Sequence, residues 1–231
     1  LGNLKYAAGQ TPAQTPISNQ ALATLLPPGK SLWVCGSTHA GEEEIIFAAY
    51  DQLRARCPDV FLLLAPRRPE RGEELVSLAN KCGLTARLRS QQGLLQILSE
   101  SSGNNPPCDL LILDSIGELA SCYSLAAVAF IGGSLVAEGG HNPLEAAWAG
   151  KAILFGRHME DFSEIAADLI ATGAARVVAD AAELMAALTE IFTDTATGEK
   201  MGAAALALTT ARRQGVLAGH LQAIAQLLAA K

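Results

Sequence analysis

The sequence predicts an α/β fold: a Rossmann-like, doubly wound parallel sheet of six to seven strands with helices on both faces. Three observations point there. Short apolar runs alternate with segments of helical periodicity, the order expected of repeated strand–helix units. Several runs, such as Leu110-Leu-Ile-Leu113, are apolar throughout, which suits strands buried on both faces. Half of the residues are hydrophobic and 17% are charged, which supplies a large core and excludes a disordered chain.

The elements follow in order. Residues 7–19 are polar with two prolines and read as a linker. A strand at 32–35 leads to a helix at 42–56, whose opening Glu42, Glu43 and Glu44 complement the helix dipole. A strand at 60–65 leads to a helix at 71–81, a strand at 85–88 to a helix at 94–99. The strand at 110–113 is followed by an uncharged stretch, 119–137, long enough to resemble a membrane span. Its serines and glycines favour a short helix, a turn and a buried strand at 128–131 instead. A helix at 143–149 opens with Asn142, Pro143 and Glu145, which fit a capping box. Strands at 152–154 and 175–178 and helices at 162–171 and 181–192 complete the alternation, and two Ala- and Leu-rich helices are expected at 199–210 and 216–229. The domain expectation is a hinge or linker over 1–20, then one domain over 21–231.

The net charge of −6 argues against a general nucleic-acid binder but not against small anionic ligands. Five scattered cysteines without a C-x-x-C pair suggest a reduced, disulfide-free chain without structural zinc. No signal peptide is visible. The chain opens at Leu1, not Met, and the expectation is a fragment whose missing part lies upstream.

Chemistry concentrates in the loops. Phe130-Ile-Gly-Gly-Ser-Leu-Val-Ala-Glu-Gly-Gly-His-Asn-Pro-Leu-Glu145 joins a strand, a glycine loop and a helix start. Glycines let a backbone approach a ligand, and helix-start amides attract anions, so Gly132, Gly133, Gly139 and Gly140 suggest a nucleotide or phosphate site. The bland alternative, a cap and nothing more, leaves the glycines unexplained. Cys35-Gly-Ser-Thr-His-Ala-Gly-Glu-Glu-Glu44 also follows a strand, but no Gly-Lys-Ser/Thr follows; a structural turn competes evenly with a ligand loop, and His39 alone is weak evidence. Arg67, Arg68 and Arg71 lie just past a strand end. Guanidinium groups suit phosphates and carboxylates, against a solvated loop paired to Glu70, Glu73 and Glu74. Arg67, first after the strand, is the best ligand candidate. Asp114-Ser-Ile-Gly-Glu-Leu119 offers backbone to a base edge. No histidine pair has metal spacing, so no metal site is expected, and no nucleophile–base pair stands out.

Together, Gly2-Asn-Leu-Lys-Tyr6, Gly36-Ser-Thr-His-Ala-Gly-Glu-Glu43, Ala65-Pro-Arg-Arg-Pro-Glu-Arg71, Asp114-Ser-Ile-Gly-Glu-Leu119 and Phe130 to Glu145 resemble one family: the 3-deoxy-D-manno-octulosonic acid (Kdo) transferases of lipopolysaccharide synthesis. The resemblance is to the family's C-terminal half. It implies a GT-B glycosyltransferase that moves Kdo from CMP-Kdo to a lipid A precursor at the cytoplasmic face of the bacterial inner membrane. The chain itself would be soluble. It would hold the CMP-Kdo donor without other cofactor, while a missing N-terminal domain carries the anchor, the acceptor surface and the catalytic carboxylate. This chain alone would then be inactive and could self-associate. Arg67 becomes a phosphate or donor contact. Gly117, Glu118 and Leu119 border the cytosine, largely through backbone. Gly132, Gly133 and Ser134 approach the phosphate and sugar. Asn142 and Glu145 serve the donor, Glu145 through the ribose hydroxyls. The sequence departs from the family pattern at Arg68, where His is expected, at Arg157, where Pro is expected, and at Asp161, where Asn is expected. Competing readings are a GT-B domain for a UDP-sugar and a stand-alone nucleotide-binding module.

Overall fold

The computed structural model describes residues 3–6, 29–91 and 108–229. Strands and helices alternate as β1 (Ser31–Thr38), α1 (Glu43–Arg56), β2 (Val60–Pro66), α2 (Gly72–Lys81), β3 (Ala86–Leu88), β4 (Leu110–Ile112), α3 (Leu119–Leu125), β5 (Val128–Ile131), α4 (Leu144–Trp148), β6 (Ala152–Phe155), α5 (Ser163–Ala171), β7 (Ala175–Val177), α6 (Ala181–Thr193) and α7 (Thr195–Ala229). All seven expected strands are present, within a few residues of their expected ends. They form one parallel sheet in the order β3-β4-β2-β1-β5-β6-β7. The order reverses between β1 and β5, and in such sheets ligands bind beyond the carboxyl ends at that reversal.

Each strand sends alternate side chains to opposite faces, so the sheet carries two cores. Leu32, Val34, Phe61, Leu63 and Ile131 pack beneath α3, α4 and α5 through Tyr123, Leu144 and Leu169. Trp33, Cys35, Leu62, Leu64 and Phe130 pack beneath α1, α2 and α6 through Phe47, Leu75 and Leu188. The uncharged stretch is α3 followed by β5, and among the described residues no helix is long and apolar enough to cross a membrane. The five cysteines are unbridged; Cys35 and Cys122 are buried and Cys82 is exposed.

The helices expected at 199–210 and 216–229 are one continuous helix, α7. Nothing in Arg212-Arg213-Gln214 breaks a helix, and a lone glycine, Gly215, costs only about 1 kcal/mol. The helix at 94–99 and the linker at 7–19 lie outside the described residues. Within the expected hinge, however, residues 3–6 dock firmly. Tyr6 is 1% exposed and donates to Asp168 Oδ2 at 2.9 Å, while Arg212 of α7 donates to the other oxygen at 2.6 Å. Lys5 sits over the Phe162 ring at 4.1 Å. This segment is part of the packed domain.

Candidate functional site

The carboxyl ends of β1, β2 and β4 border a pocket of ≈ 620 Å³. Arg67, Arg68, Ser37, His39, Gly117 and Leu119 are on its wall. Three of the residues singled out from the sequence, Arg67, Gly117 and Leu119, therefore meet at one cavity. The arginines divide sharply. Arg71 is committed to Glu43 at 2.7 Å and Glu74 at 2.8 Å. Among the described residues, Arg67 and Arg68 are exposed and make no ion pair, which leaves their guanidinium groups to solvent or ligand. Gly117 has φ 89°, a conformation glycine adopts without strain, and it turns its backbone toward the pocket. The Glu118 carboxylate points elsewhere: it is 6% exposed, 3.2 Å from Arg89 Nη2 and bonded to the Ser115 hydroxyl. Only the backbone of Glu118 is left for a ligand.

The end of β1 is irregular. Its register against β2 shifts between Gly36 and Thr38, and Ser37 has φ 59°, the one positive φ at a non-glycine among the described residues. Such outliers concentrate at functional sites. The neighbouring Gly36 faces the Tyr123 hydroxyl so closely that no β-carbon fits.

Across the reversal lies the glycine loop after β5. Here the structure corrects an expectation. The Gly133 and Ser134 amides do not face an empty phosphate cradle. Gly133 N donates to Glu42 Oε2 at 2.6 Å, and Ser134 N and Leu135 N donate to Glu42 Oε1 at 2.9 and 2.8 Å. Gly132 donates to Gly36 O at 2.8 Å, and a β-carbon on it would lie 2.6 Å from Thr38 Cα; its glycine serves backbone packing against β1. The Ser134 hydroxyl is buried, donating to Ile131 O at 2.5 Å and accepting from Gly156 N at 2.7 Å. These three residues build the loop, and their polar groups are already satisfied.

Asn142 behaves as a cap: its Oδ1 accepts from Leu144 N at 3.0 Å. The reciprocal half of the capping box is missing, since Glu145 makes no hydrogen bond to Asn142 N among the described residues. Burial alone pushes the Glu145 carboxyl above its ordinary value. Glu145 lies close enough to the buried Tyr123 to add to the upward shift that burial gives that phenol. Helix α4 is only five residues long, so its dipole is a weak anion attractor. Between the two loops, His39 Nε2 and His141 Nε2 lie 2.7 Å apart, and His39 Nδ1 is 3.7 Å from Glu138 Oε2. Burial, then His39 and Arg67, hold His141 below its ordinary value. Asp161 packs against Gly139, with Asp161 N donating to Gly139 O at 3.0 Å; Arg157 stays exposed.

Sequence reasoning missed the role of Glu42. It sits among three consecutive glutamates at a helix start, two of them buried, and no pattern marks which one reaches the glycine loop. The His39–His141 pairing was equally hidden, because the two residues lie 102 positions apart.

Among curated proteins, the chain is 36% identical over 164 residues to the 3-deoxy-D-manno-octulosonic acid transferase of Haemophilus influenzae, covering 71% of this chain and 36% of that protein. It is 32% identical over 214 residues to the enzyme of that name from Bordetella pertussis, covering 91% of this chain and 47% of that protein. By sequence, the chain belongs with the Kdo transferases. It spans less than half the length of these relatives. No family model matches it. Among solved structures, the C-terminal CMP-Kdo binding domain of WaaA from Acinetobacter baumannii superposes with a TM-score of 0.66 at 27% identity, covering 82% of this chain and 95% of that one. The C-terminal domain of the group 1 glycosyl transferase LpcC from Francisella tularensis shares the fold, with a TM-score of 0.55 at 16% identity over 86% of this chain and 96% of that one. The architecture is that of a GT-B C-terminal domain, as the Kdo transferase resemblance implied.

Proposed function

We propose that this chain is the donor-binding half of a glycosyltransferase that transfers Kdo from CMP-Kdo to a lipid A precursor at the cytoplasmic face of the inner membrane. The observation that carries this reading is an open pocket at the sheet reversal, walled by the uncommitted Arg67 and the Gly117–Leu119 turn, in a chain akin to transferases of that name. Arg67 meets the donor phosphate, a pairing that guanidinium geometry favours. The Gly117–Leu119 backbone reads the edge of the cytosine. Glu145 and Asn142 hold the ribose from the far side of the reversal. With the Gly133 and Ser134 amides taken by Glu42, Arg67 is the principal phosphate contact. A single phosphate held by a guanidinium needs no metal. Acceptor binding and the catalytic carboxylate reside in another domain, so this chain alone does not turn over.

Calorimetry with CMP and UMP, each in EDTA and then in magnesium, tests the reading. Metal-independent binding of CMP, tighter than UMP, is expected. Equal or tighter UMP binding moves the assignment to a UDP-sugar transferase, and binding that requires magnesium removes the metal-free mechanism.

A further inference from the structure

Glu42 is 0% exposed, yet among the described residues its carboxylate forms no ion pair. Its partners are backbone amides alone. His39 N donates to Oε2 at 2.9 Å, joining Gly133, Ser134 and Leu135 on the same carboxylate. Three successive amides converging on one anion form a nest, a structure that elsewhere receives phosphates. Here the anion is the protein's own.

A helix cap does not explain this arrangement. Glu42 precedes α1 but bonds away from it. One bond runs back three residues to His39, and three run to a loop more than ninety residues away. Those partners belong to the loops that follow β1 and β5, the two strands flanking the reversal. The same loops carry His39 and His141, whose rings meet at 2.7 Å, and His141 N is fastened to Gly132 O at 3.1 Å.

We propose that Glu42 is the positioning residue of this site: a resident anion that locks the two loops in one register and so sets the His39–His141 contact at the pocket rim. Its effect on ligand binding rests on the nucleotide reading above; its effect on the histidine pair does not. Replacing Glu42 by alanine empties the nest and takes the acceptor from four backbone amides, those of His39, Gly133, Ser134 and Leu135. Acetate has the atoms removed and refits the space.

The test compares the 231-residue chain with Glu42→Ala and Glu42→Gln by imidazole NMR, CMP calorimetry and thermal melting. In the parent, a downfield N–H proton shared by the two rings is expected. In Glu42→Ala that signal disappears and CMP binding weakens roughly tenfold or more, since displacement of a site costs up to about a hundredfold. Acetate restores the signal and the binding and raises the melting temperature of this variant only; chloride at equal ionic strength does neither. Should Glu42→Ala not fold, Glu42→Gln decides. It keeps the volume but turns an NH₂ onto backbone donors, so the shared-proton signal weakens or shifts. A parent-like histidine signal in either variant overturns the proposal, as does an acetate response equal to that of chloride. If the parent fails to bind CMP, the nucleotide reading falls, while the histidine signal and the acetate response still decide the role of Glu42.

Discussion

His39 Nε2 faces His141 Nε2 at 2.7 Å, a separation that holds one proton and excludes two. When both rings carry an Nε2 proton the donors collide, so the pair is stable neutral or singly charged. Burial, His39 and Arg67 lower the His141 pKa, and Glu138 and Asp161 only partly oppose them. A depressed folded-state value gives stability that is complete above the ordinary value of 6.5 and is lost as pH falls below it. The melting temperature of the parent is therefore expected to drop between pH 7 and pH 5 more steeply than that of His141→Asn. Parallel pH curves for the two proteins would refute the coupling.

Arg71 and Glu43 form a second linkage, at 2.7 Å with the carboxylate 0% exposed. Burial raises the Glu43 pKa in spite of Arg71, so removing the cation leaves a costly charge inside. Arg71→Met is expected to lose about 3–5 kcal/mol in urea unfolding, the usual cost of breaking a buried pair. Adding Glu43→Gln recovers much of it. A single-variant loss under about 1 kcal/mol, the surface-pair range, would show the pair to be a surface one in effect.

Glu145 separates stability from binding. Its carboxyl is raised by burial, so ionisation above the ordinary value of 4.5 destabilises the fold. Glu145→Gln is expected to melt higher than the parent at pH 7, with the difference vanishing below the ordinary carboxylate range. The same variant binds CMP more weakly, because the ribose hydroxyls lose a charged acceptor. Unchanged CMP affinity would remove the ribose role.

Arg67 and Arg68 are neighbours with different expectations. Hydrogen bonds to charged groups contribute about 1.5–3 kcal/mol, so Arg67→Ala is expected to weaken CMP binding by about tenfold to a hundredfold. Its stability changes by no more than about 0.5 kcal/mol, as for exposed substitutions generally. Arg68→Ala serves as the control, and equal losses at both positions would reduce Arg67 to part of a diffuse positive field.

The fold was legible because strand burial repeats in the sequence: Leu62-Leu-Leu64, Leu110-Leu-Ile112 and Val128-Ala-Phe-Ile131 declare two-sided strands by composition alone. The pocket was legible in part, since Arg67 directly follows one apolar run and Gly117 lies in the short polar loop after another. What the sequence concealed was the occupancy of donors. Gly133 and Ser134 look like phosphate ligands until Glu42 is seen to accept from them, and no local pattern reports a contact spanning 91 positions. The helices expected at 199–210 and 216–229 are one helix, α7, because a long helix absorbs a single glycine such as Gly215 at a cost of about 1 kcal/mol.

The parallel sheet gives the molecule a front and a back. Every strand ends toward the pocket, so the turns at the other edge take no part in ligand geometry. Gly83 and Gly173 lie in such turns with open space around them. Next to Gly83, the exposed thiol of Cys82 closes α2, while burial holds the Cys35 and Cys122 thiols well above their ordinary range. A fluorophore or surface tether attached through Cys82 would hold the domain by its back, with the pocket facing free solution for optical or single-molecule work.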